Sequence, residues 1–131
     1  MDFNECLNKK IIKNVKVDNN LIISARKIAK LKIESAEFLP EHLFIGKITL
    51  LYDGLRGYLE CIALEKGYKV YNHECYSSFL NEIMHLPNEA ELFNKLRKIR
   101  NGINYYGETV DLEKADYIID KLIYLIDRFK K

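Results

Sequence analysis

The sequence predicts an all-α protein, a single-domain antiparallel up-and-down helical bundle of four main helices plus shorter ones. Three observations lead to this class. Apolar residues recur at spacings of three and four along most of the chain, and capping residues and helix breakers separate these stretches. Only six Gly and two Pro occur among the 131 residues, and 48% of the residues are hydrophobic, which is typical of a compact, ordered chain. We expect one domain over residues 1–131, with a helical arm at 1–17 and the bundle at 18–131.

The first two helices are predicted from their caps. Asp2 and Glu5 form a capping-box pattern, which starts a short helix that reaches about Lys13. One of the residues 18–20 caps the second helix, which ends before Pro40. One face of this second helix is rich in small residues, which favours a close helix neighbour; it consists of Ile22, Ala25, Ala29, Ile33 and Ala36.

The third helix is expected to be central, because apolar residues surround it almost completely over residues 41–66. Gly54 and Gly57 within it indicate that another backbone approaches closely. Gly67 is placed to end this helix, and residues 68–71 are predicted to be a connector.

Two further helices are predicted before and after Pro87. Asn72 caps a short helix that Pro87 ends. Asn88 and Glu91 form a second capping-box pattern, which starts the next helix, and Gly107 is placed to end it.

The last helix, which Asp111 caps, carries two apolar stripes. Its bundle-forming seam alternates between spacings of three and four; it consists of Leu112, Ala115, Ile119, Leu122, Ile126 and Phe129. The second stripe consists of Tyr117, Ile118, Tyr124 and Leu125. Because a small monomer does not easily cover both stripes, we expect self-association through part of this surface.

The net charge of +2 is small but unevenly distributed along the chain. Residues 1–32 contain eight Lys or Arg against three Asp or Glu, residues 33–90 contain four against nine, and residues 91–131 contain nine against seven. Most such charges belong to solvated helix faces. Only the cationic cluster around Arg100 indicates a binding surface, because it coincides with Asn and Tyr residues.

Composition also restricts the cellular location and the metal-binding capacity that we expect of the protein. Cys6, Cys61 and Cys75 are an odd number without Cys-x-x-Cys spacing, so we expect neither a disulfide framework nor a zinc site. The three histidines share no metal-ligand spacing. There is no apolar signal core at the N-terminus and no run of eighteen apolar residues. We therefore expect a cytoplasmic protein that neither enters a membrane nor binds a metal, and nothing in the sequence calls for a cofactor.

The segment KLRKIRNGINYYG at residues 95–107 places polar, cationic and phenolic groups at the end of an apolar helix. Arg100 and Asn104 lie one helical turn apart beside the core-facing stripe. A guanidinium at the edge of a core is suited to bind phosphate. The structural alternative is that Arg100 bonds to a carboxylate or a helix-end carbonyl and Asn104 to nearby backbone. In that case Tyr105 and Tyr106 pack as amphipathic plugs.

Three segments of the chain resemble the HEPN family, which is named for a proposed nucleotide-binding role in higher eukaryotes and prokaryotes. They are SAEFL at 35–39, LLYDGLRGYLECIALEKGYK at 50–69 followed by NHE at 72–74, and FNKLRKIRNGINYYG at 93–107. The resemblance implies a four- or five-helix bundle, commonly a homodimer, whose signature is an Arg followed after four to six residues by a His. In nuclease members two such motifs meet across the dimer and cleave RNA without a metal ion, whereas other members bind partners.

By position, Arg100 is the motif arginine and Asn101 is the polar residue directly after it. The positions where the histidine is expected hold Tyr105, Tyr106 and Gly107. A tyrosine, with a pKa of about 10, is a poor base at neutral pH. The sequence therefore predicts a degenerate catalytic motif.

Three functions remain open beside a purely structural bundle. The resemblance implies an interaction module, paired as toxin and antitoxin with a minimal nucleotidyltransferase that would modify Tyr105 or Tyr106. The second function is a metal-independent endoribonuclease that uses Arg100, Asn101 and Tyr105. The third is nucleotide or RNA binding without chemistry, for which the candidate residues are Arg97, Lys98, Arg100, Asn104 and Tyr106.

His73 is a separate candidate, since it follows the predicted cap Asn72. We expect it to cap a helix or bond a loop. It would take part in chemistry only if the fold brings it near Arg100.

Overall fold

The computed structural model describes residues 1–106 and 109–130, with only the backbone described at residues 104–106. In chain order the elements are α1 (Phe3–Asn8), β1 (Ile12–Asn14), α2 (Asn19–Phe38), α3 (Phe44–Glu65), β2 (Tyr68–Val70), α4 (Cys75–Ser78), a π-helical turn (Phe79–Ile83), α5 (Pro87–Tyr106) and α6 (Leu112–Phe129). The predominantly helical class is confirmed, and four of the helices are long. Among the described residues, no helix is long and apolar enough to cross a membrane.

The N-terminal segment differs from its prediction. Asp2 caps α1, since its Oδ1 accepts a hydrogen bond from the Glu5 amide at 2.8 Å, but the helix ends at Asn8 rather than near Lys13. The next residues form β1, which pairs antiparallel with β2 in a two-stranded sheet. The prediction of a connector at 68–71 is therefore wrong. Three-residue strands are too short to show alternation, and their pairing depends on residues far apart in the chain.

A disulfide joins Cys6 in α1 to Cys75 at the start of α4. The two Cα atoms are 6.2 Å apart and the cysteines are 69 residues apart in sequence. The prediction of no disulfide is wrong, because cysteine spacing carries no information about a contact of such long range. Cys61 is free and buried.

α2 packs closely on α3, as the glycines in α3 predict. Asp18 is the N-cap of α2, and Ala29 lies against Gly57. A Cβ added to Gly57 would lie only 2.8 Å from the Ala29 Cβ, and one added to Gly54 would lie 2.5 Å from Ile33 Cγ1. The approach of the two helices therefore requires both glycines.

The helix ends are mostly where the caps and breakers predict them. Gly67 follows α3 with a φ of +84°, a backbone conformation that favours glycine. Asp111 caps α6 by accepting from the Lys114 amide at 2.7 Å. Pro87 does not end the preceding helix but is the first residue of α5, a position that proline suits because its missing N–H would be unpaired there. The predicted stop at Gly107 lies outside the described residues.

The core-facing side of α6 is wider than the predicted seam. Its buried residues are Ala115, Ile118, Leu122, Leu125, Ile126 and Phe129. Leu112 is exposed, and Ile118 and Leu125, which the sequence assigned to an outer stripe, are core residues. The expectation that α6 exposes a second full stripe is therefore wrong. Ala115, Leu122, Ile126 and Phe129 are buried as predicted, so the predicted phase is right and the buried face takes in part of both stripes.

Substitution of Gly57 tests the close approach of α2. We expect Gly57→Ala to lower the free energy of unfolding by about 1–2 kcal/mol, because overpacking against Ala29 outweighs the gain in helix propensity. Gly46→Ala in the same helix meets only the Leu39 side chain, at 3.2 Å, and should have little effect. Urea denaturation of both variants measures the difference. Equal stability of the two variants would contradict the packing described above.

Candidate functional site

Tyr52 of α3 is the centre of a polar cluster inside the helical layer. Its ring is buried, with 1% of the residue exposed, and stacks on Phe93 of α5 with ring centroids 5.8 Å apart. Its hydroxyl forms a hydrogen bond of 3.1 Å with Nδ1 of His73. The fold therefore brings His73, from the segment before α4, onto the buried face of α3.

Arg100 of α5 lies over the same tyrosine ring. Its Cζ is 5.1 Å from the ring centroid of Tyr52, which is within cation–π range. One guanidinium nitrogen is 3.6 Å from Oδ1 of Asp53, and another is 3.5 Å from Oδ1 of Asn101. The side chain retains 16% exposure. The ion pair to Asp53 gives Arg100 the structural role that the sequence left open, and its remaining surface lets it face a ligand.

Two further arginines lie near Arg100 and Tyr52. Arg97 of α5 donates from both Nε and Nη2 to Oδ1 of Asn94, at 3.3 and 2.9 Å. Arg56 of α3 pairs with Glu60 at 3.2 Å, and its positive charge opposes the rise that burial causes in the pKa of Tyr76. Glu60 is shared, because Lys69 of β2 lies 2.6 Å from its other oxygen. Lys69 and Arg56 lower the pKa of Glu60 although its burial opposes this shift.

Electrostatics keep the central pair neutral at physiological pH. Burial lowers the pKa of His73 to about 4, and the positive charges of Arg56, Arg100 and Arg97 add to this shift while Asp53 opposes it. Burial raises the pKa of Tyr52 to about 12, against the effect of the same arginines. Among the described residues, the charged groups around this uncharged pair are four cations and two carboxylates: Arg56, Lys69, Arg97 and Arg100, with Asp53 and Glu60.

A groove of about 300 Å³ opens beside the cluster, between α2 and α3. Asp53, Arg56 and Glu60 line its α3 side, and Leu21 and Ile28 are among the residues that line its α2 side. Asp53 thus faces the groove and contacts Arg100 as well. A larger depression, about 620 Å³, lies between α2, α3 and α6, but none of the cluster residues lines it.

The predicted site residues are only partly brought together. Arg100 and Asn101 contact each other, and Arg97 acts on the same histidine through its charge. Lys98 is an exposed residue of α5 and takes part in none of the contacts above. The side chains of residues 104–106 lie outside the described residues, so the predictions for Asn104, Tyr105 and Tyr106 stay predictions.

Sequence reasoning missed Tyr52, Asp53 and Arg56. Their signal was present, since Asp53, Arg56 and Glu60 are charged residues at spacings of three and four on a helix that is otherwise apolar almost all round. His73 was predicted to be a cap or a loop-bonding residue. Asn72 bonds the local backbone instead, since its Oδ1 accepts from the Glu74 amide at 3.0 Å, but the N-cap of α4 is Glu74 and not Asn72. His73 bonds the core tyrosine.

The described residues contain no group of three His, Cys, Asp or Glu side chains that could hold a metal ion. Comparisons of the chain with protein-family models, with curated proteins and with solved structures give no match.

The depressed pKa of His73 predicts a dependence of stability on pH. Between its ordinary value of 6.5 and the folded value of about 4, the folded protein binds fewer protons at this site than the unfolded chain, so stability falls as the pH is lowered through this range. The loss should be on the order of 2 kcal/mol at pH 4. His73→Gln should remove this part of the slope, whereas His42→Gln, at an exposed site, should retain it. Chemical denaturation at pH 7, 5.5 and 4 measures the slope, and identical slopes in the two variants would contradict this electrostatic description.

Proposed function

We propose that the protein is a HEPN-like homodimer that binds the phosphates of a nucleotide or of RNA at Arg56, Arg97 and Arg100. One observation carries the proposal: Arg100 lies over the ring of Tyr52, and the charges of Arg56, Arg97 and Arg100, from two helices, all act on Tyr52 and His73. Among the described residues, Asp53 pairs with Arg100 and Glu60 with Arg56, and Arg97 bonds the neutral side chain of Asn94. The proposal includes the up-and-down arrangement of the four long helices that the resemblance implies.

The geometry suits a phosphate for two reasons. A guanidinium presents a planar fork of donors that matches phosphate oxygens, and stacking on the Tyr52 ring fixes the plane of Arg100. The ion pair of Arg100 with Asp53 is long, at 3.6 Å, so a more highly charged anion can compete with the carboxylate for the guanidinium. Ligand binding would then reduce the repulsion among the arginines.

The partner and the location belong to the same proposal. A minimal nucleotidyltransferase as toxin–antitoxin partner follows from the resemblance, with Tyr105 or Tyr106 as acceptor; nucleotide mass added to the protein by such an enzyme and ATP would reveal it. A cytoplasmic location combined with the Cys6–Cys75 disulfide requires a cell whose intracellular proteins carry disulfides, as those of hyperthermophiles do.

A second candidate function is metal-independent RNA cleavage, and the contact between His73 and Tyr52 beside Arg100 favours it. The neutral imidazole of His73 can accept the proton of a 2′-hydroxyl, as a weaker base than a free imidazole because its pKa is lowered to about 4. The 2′-oxygen then attacks phosphorus, the bond to the 5′-oxygen breaks, and the leaving oxygen takes a proton. Arg100 and Asn101 would stabilise the phosphorane, and Tyr105 is the candidate acid.

Phosphate binding is tested with fluorescently labelled single-stranded RNA and with ATP, in anisotropy and calorimetric titrations at 50 and 200 mM salt. Arg97→Gln should weaken binding by about tenfold and reduce the salt dependence, because one charge-assisted contact and one released counterion are lost. Arg128→Gln, in the last turn of α6, is the matched control and should change the affinity less than about twofold. Equal losses in both variants, or no binding by the wild-type protein, would contradict the proposal.

Cleavage is tested on 5′-labelled RNA in the presence of EDTA. The wild-type protein should shorten the RNA, whereas Arg100→Ala and His73→Gln, verified as folded by circular dichroism, should slow the reaction at least a hundredfold, because each removes a group with a direct chemical role. Intact RNA after incubation with fresh wild-type protein would exclude this second function. Products that persist unchanged in both variants would assign the activity to a contaminant.

A further inference from the structure

The solvent-exposed side of α2 carries several large apolar residues. Five large apolar residues on this helix are exposed by about half or more, and Ile23 is the one that lies off the stripe described next. The other four, together with two serines, form a stripe that alternates between spacings of three and four; we call it the outer α2 stripe, and it consists of Leu21, Ser24, Ile28, Leu31, Ser35 and Phe38. Phe38, at 89% exposure, is the most extreme case. A stripe of this kind is the pattern of a helix with a second helical partner.

We propose that the outer α2 stripe is the contact surface between two copies of this chain, with the two α2 helices packed antiparallel. The inference deepens the proposed function, which expects a homodimer, by naming the helix, the orientation and the register of its interface.

The spacing of the stripe is the same when read from either end, which is the first argument for an antiparallel pair. A two-fold axis midway between Ile28 and Leu31 places Ile28 opposite Leu31 of the partner subunit. The same axis places Ser24 opposite the partner's Ser35, and Leu21 opposite the partner's Phe38. Every position of the stripe therefore has a counterpart from the same set, as an isologous interface requires.

The serines are compatible with this apolar contact. The hydroxyl of Ser35 already donates to the Leu31 carbonyl at 2.9 Å in its own helix, so its donor is satisfied before any partner docks. A small residue opposite a small residue also lets the two backbones approach closely.

Charge complementarity selects the antiparallel orientation. Lys27 and Glu34 flank the stripe on one side and are both exposed. In the antiparallel register Lys27 lies beside Glu34 of the partner subunit, and symmetry repeats this pair. In a parallel pair, Lys27 would instead lie beside the partner's Lys32, which is repulsive.

The alternative dimer interface, on α6, exposes fewer apolar residues than the sequence predicted. Of the predicted outer stripe, only Tyr117 and Tyr124 remain exposed. The Tyr117 ring is already flanked by Lys95 and Lys121, whose nitrogens lie 5.3 and 5.6 Å from its centroid. Tyr124 therefore offers a matched control position outside the proposed interface.

The proposed interface also adjoins the candidate site. Leu21, Ser24 and Ile28 line the α2 side of the groove whose other side carries Asp53 and Arg56. A second α2 packed along the stripe therefore lies at the rim of that groove, and each subunit completes the surroundings of the other's site.

The register is tested by oxidative cross-linking of two single-cysteine substitutions, Ser24→Cys and Ser35→Cys. A mixture of the two variants should give a covalent dimer, and each variant alone should not, because in the antiparallel register each position meets only the other one. The wild-type protein, whose free Cys61 is buried, is the background control. A covalent dimer of Ser24→Cys alone indicates a parallel pair and overturns the inference, as does a mixture without cross-link.

Sedimentation and light scattering test the stability of the proposed dimer. The wild-type protein should be a dimer at micromolar concentration. Leu31→Glu should be monomeric, whereas Tyr124→Glu should remain dimeric. Lys27→Glu should weaken the dimer by about tenfold through two like-charge contacts, and the double substitution Lys27→Glu with Glu34→Lys should restore most of this loss. A monomeric wild-type protein, or a dimer lost in Tyr124→Glu but retained in Leu31→Glu, overturns the inference. RNA titration of the Arg97→Gln dimer reports on the phosphate site separately.

Discussion

The near-complete burial of α3 is the constraint on which the rest of the structure depends. Its apolar faces require helices on several sides, and Gly57 lets one of them, α2, come close enough to exclude water. The same burial makes charged residues on α3 costly unless they are paired. Asp53 and Arg56 sit on this helix, and Arg100 and Glu60 compensate them. The arginine cluster is therefore a direct consequence of charges carried by a central helix.

Tyr52 lies at the centre of the candidate binding site that these paired charges form. It is buried on one side against Phe93, bears Arg100 on its ring and bonds His73 through its hydroxyl, so it ties α3, α5 and the segment before α4 together. The resulting cluster has a neutral centre, and its described residues carry more cations than carboxylates. Such an arrangement is stable without a ligand. A bound anion stabilises it further, because the arginines that repel one another then share a counterion.

The sequence predicted correctly those features of the fold that neighbouring residues determine. Caps such as Asp18 and Asp111, the burial of α3 and the approach at Gly57 all follow from neighbouring residues or from helical spacing. Features that depend on distant parts of the chain were missed. The pairing of β1 with β2, the Cys6–Cys75 disulfide and the contact of His73 with Tyr52 join segments separated by many residues, and no local pattern encodes them. The buried face of α6 is wider than the predicted seam, because Ile118 and Leu125 of the adjacent stripe also reach the core.

The most direct measurement is the titration of His73 by nuclear magnetic resonance with and without pyrophosphate, using His42 and His85 as internal references. The free protein should show a His73 pKa of about 4. Bound pyrophosphate should raise this pKa towards 6.5, because its negative charge offsets Arg56, Arg97 and Arg100, whose charges favour the neutral imidazole. An unchanged His73 titration at millimolar pyrophosphate would contradict a phosphate site at this cluster.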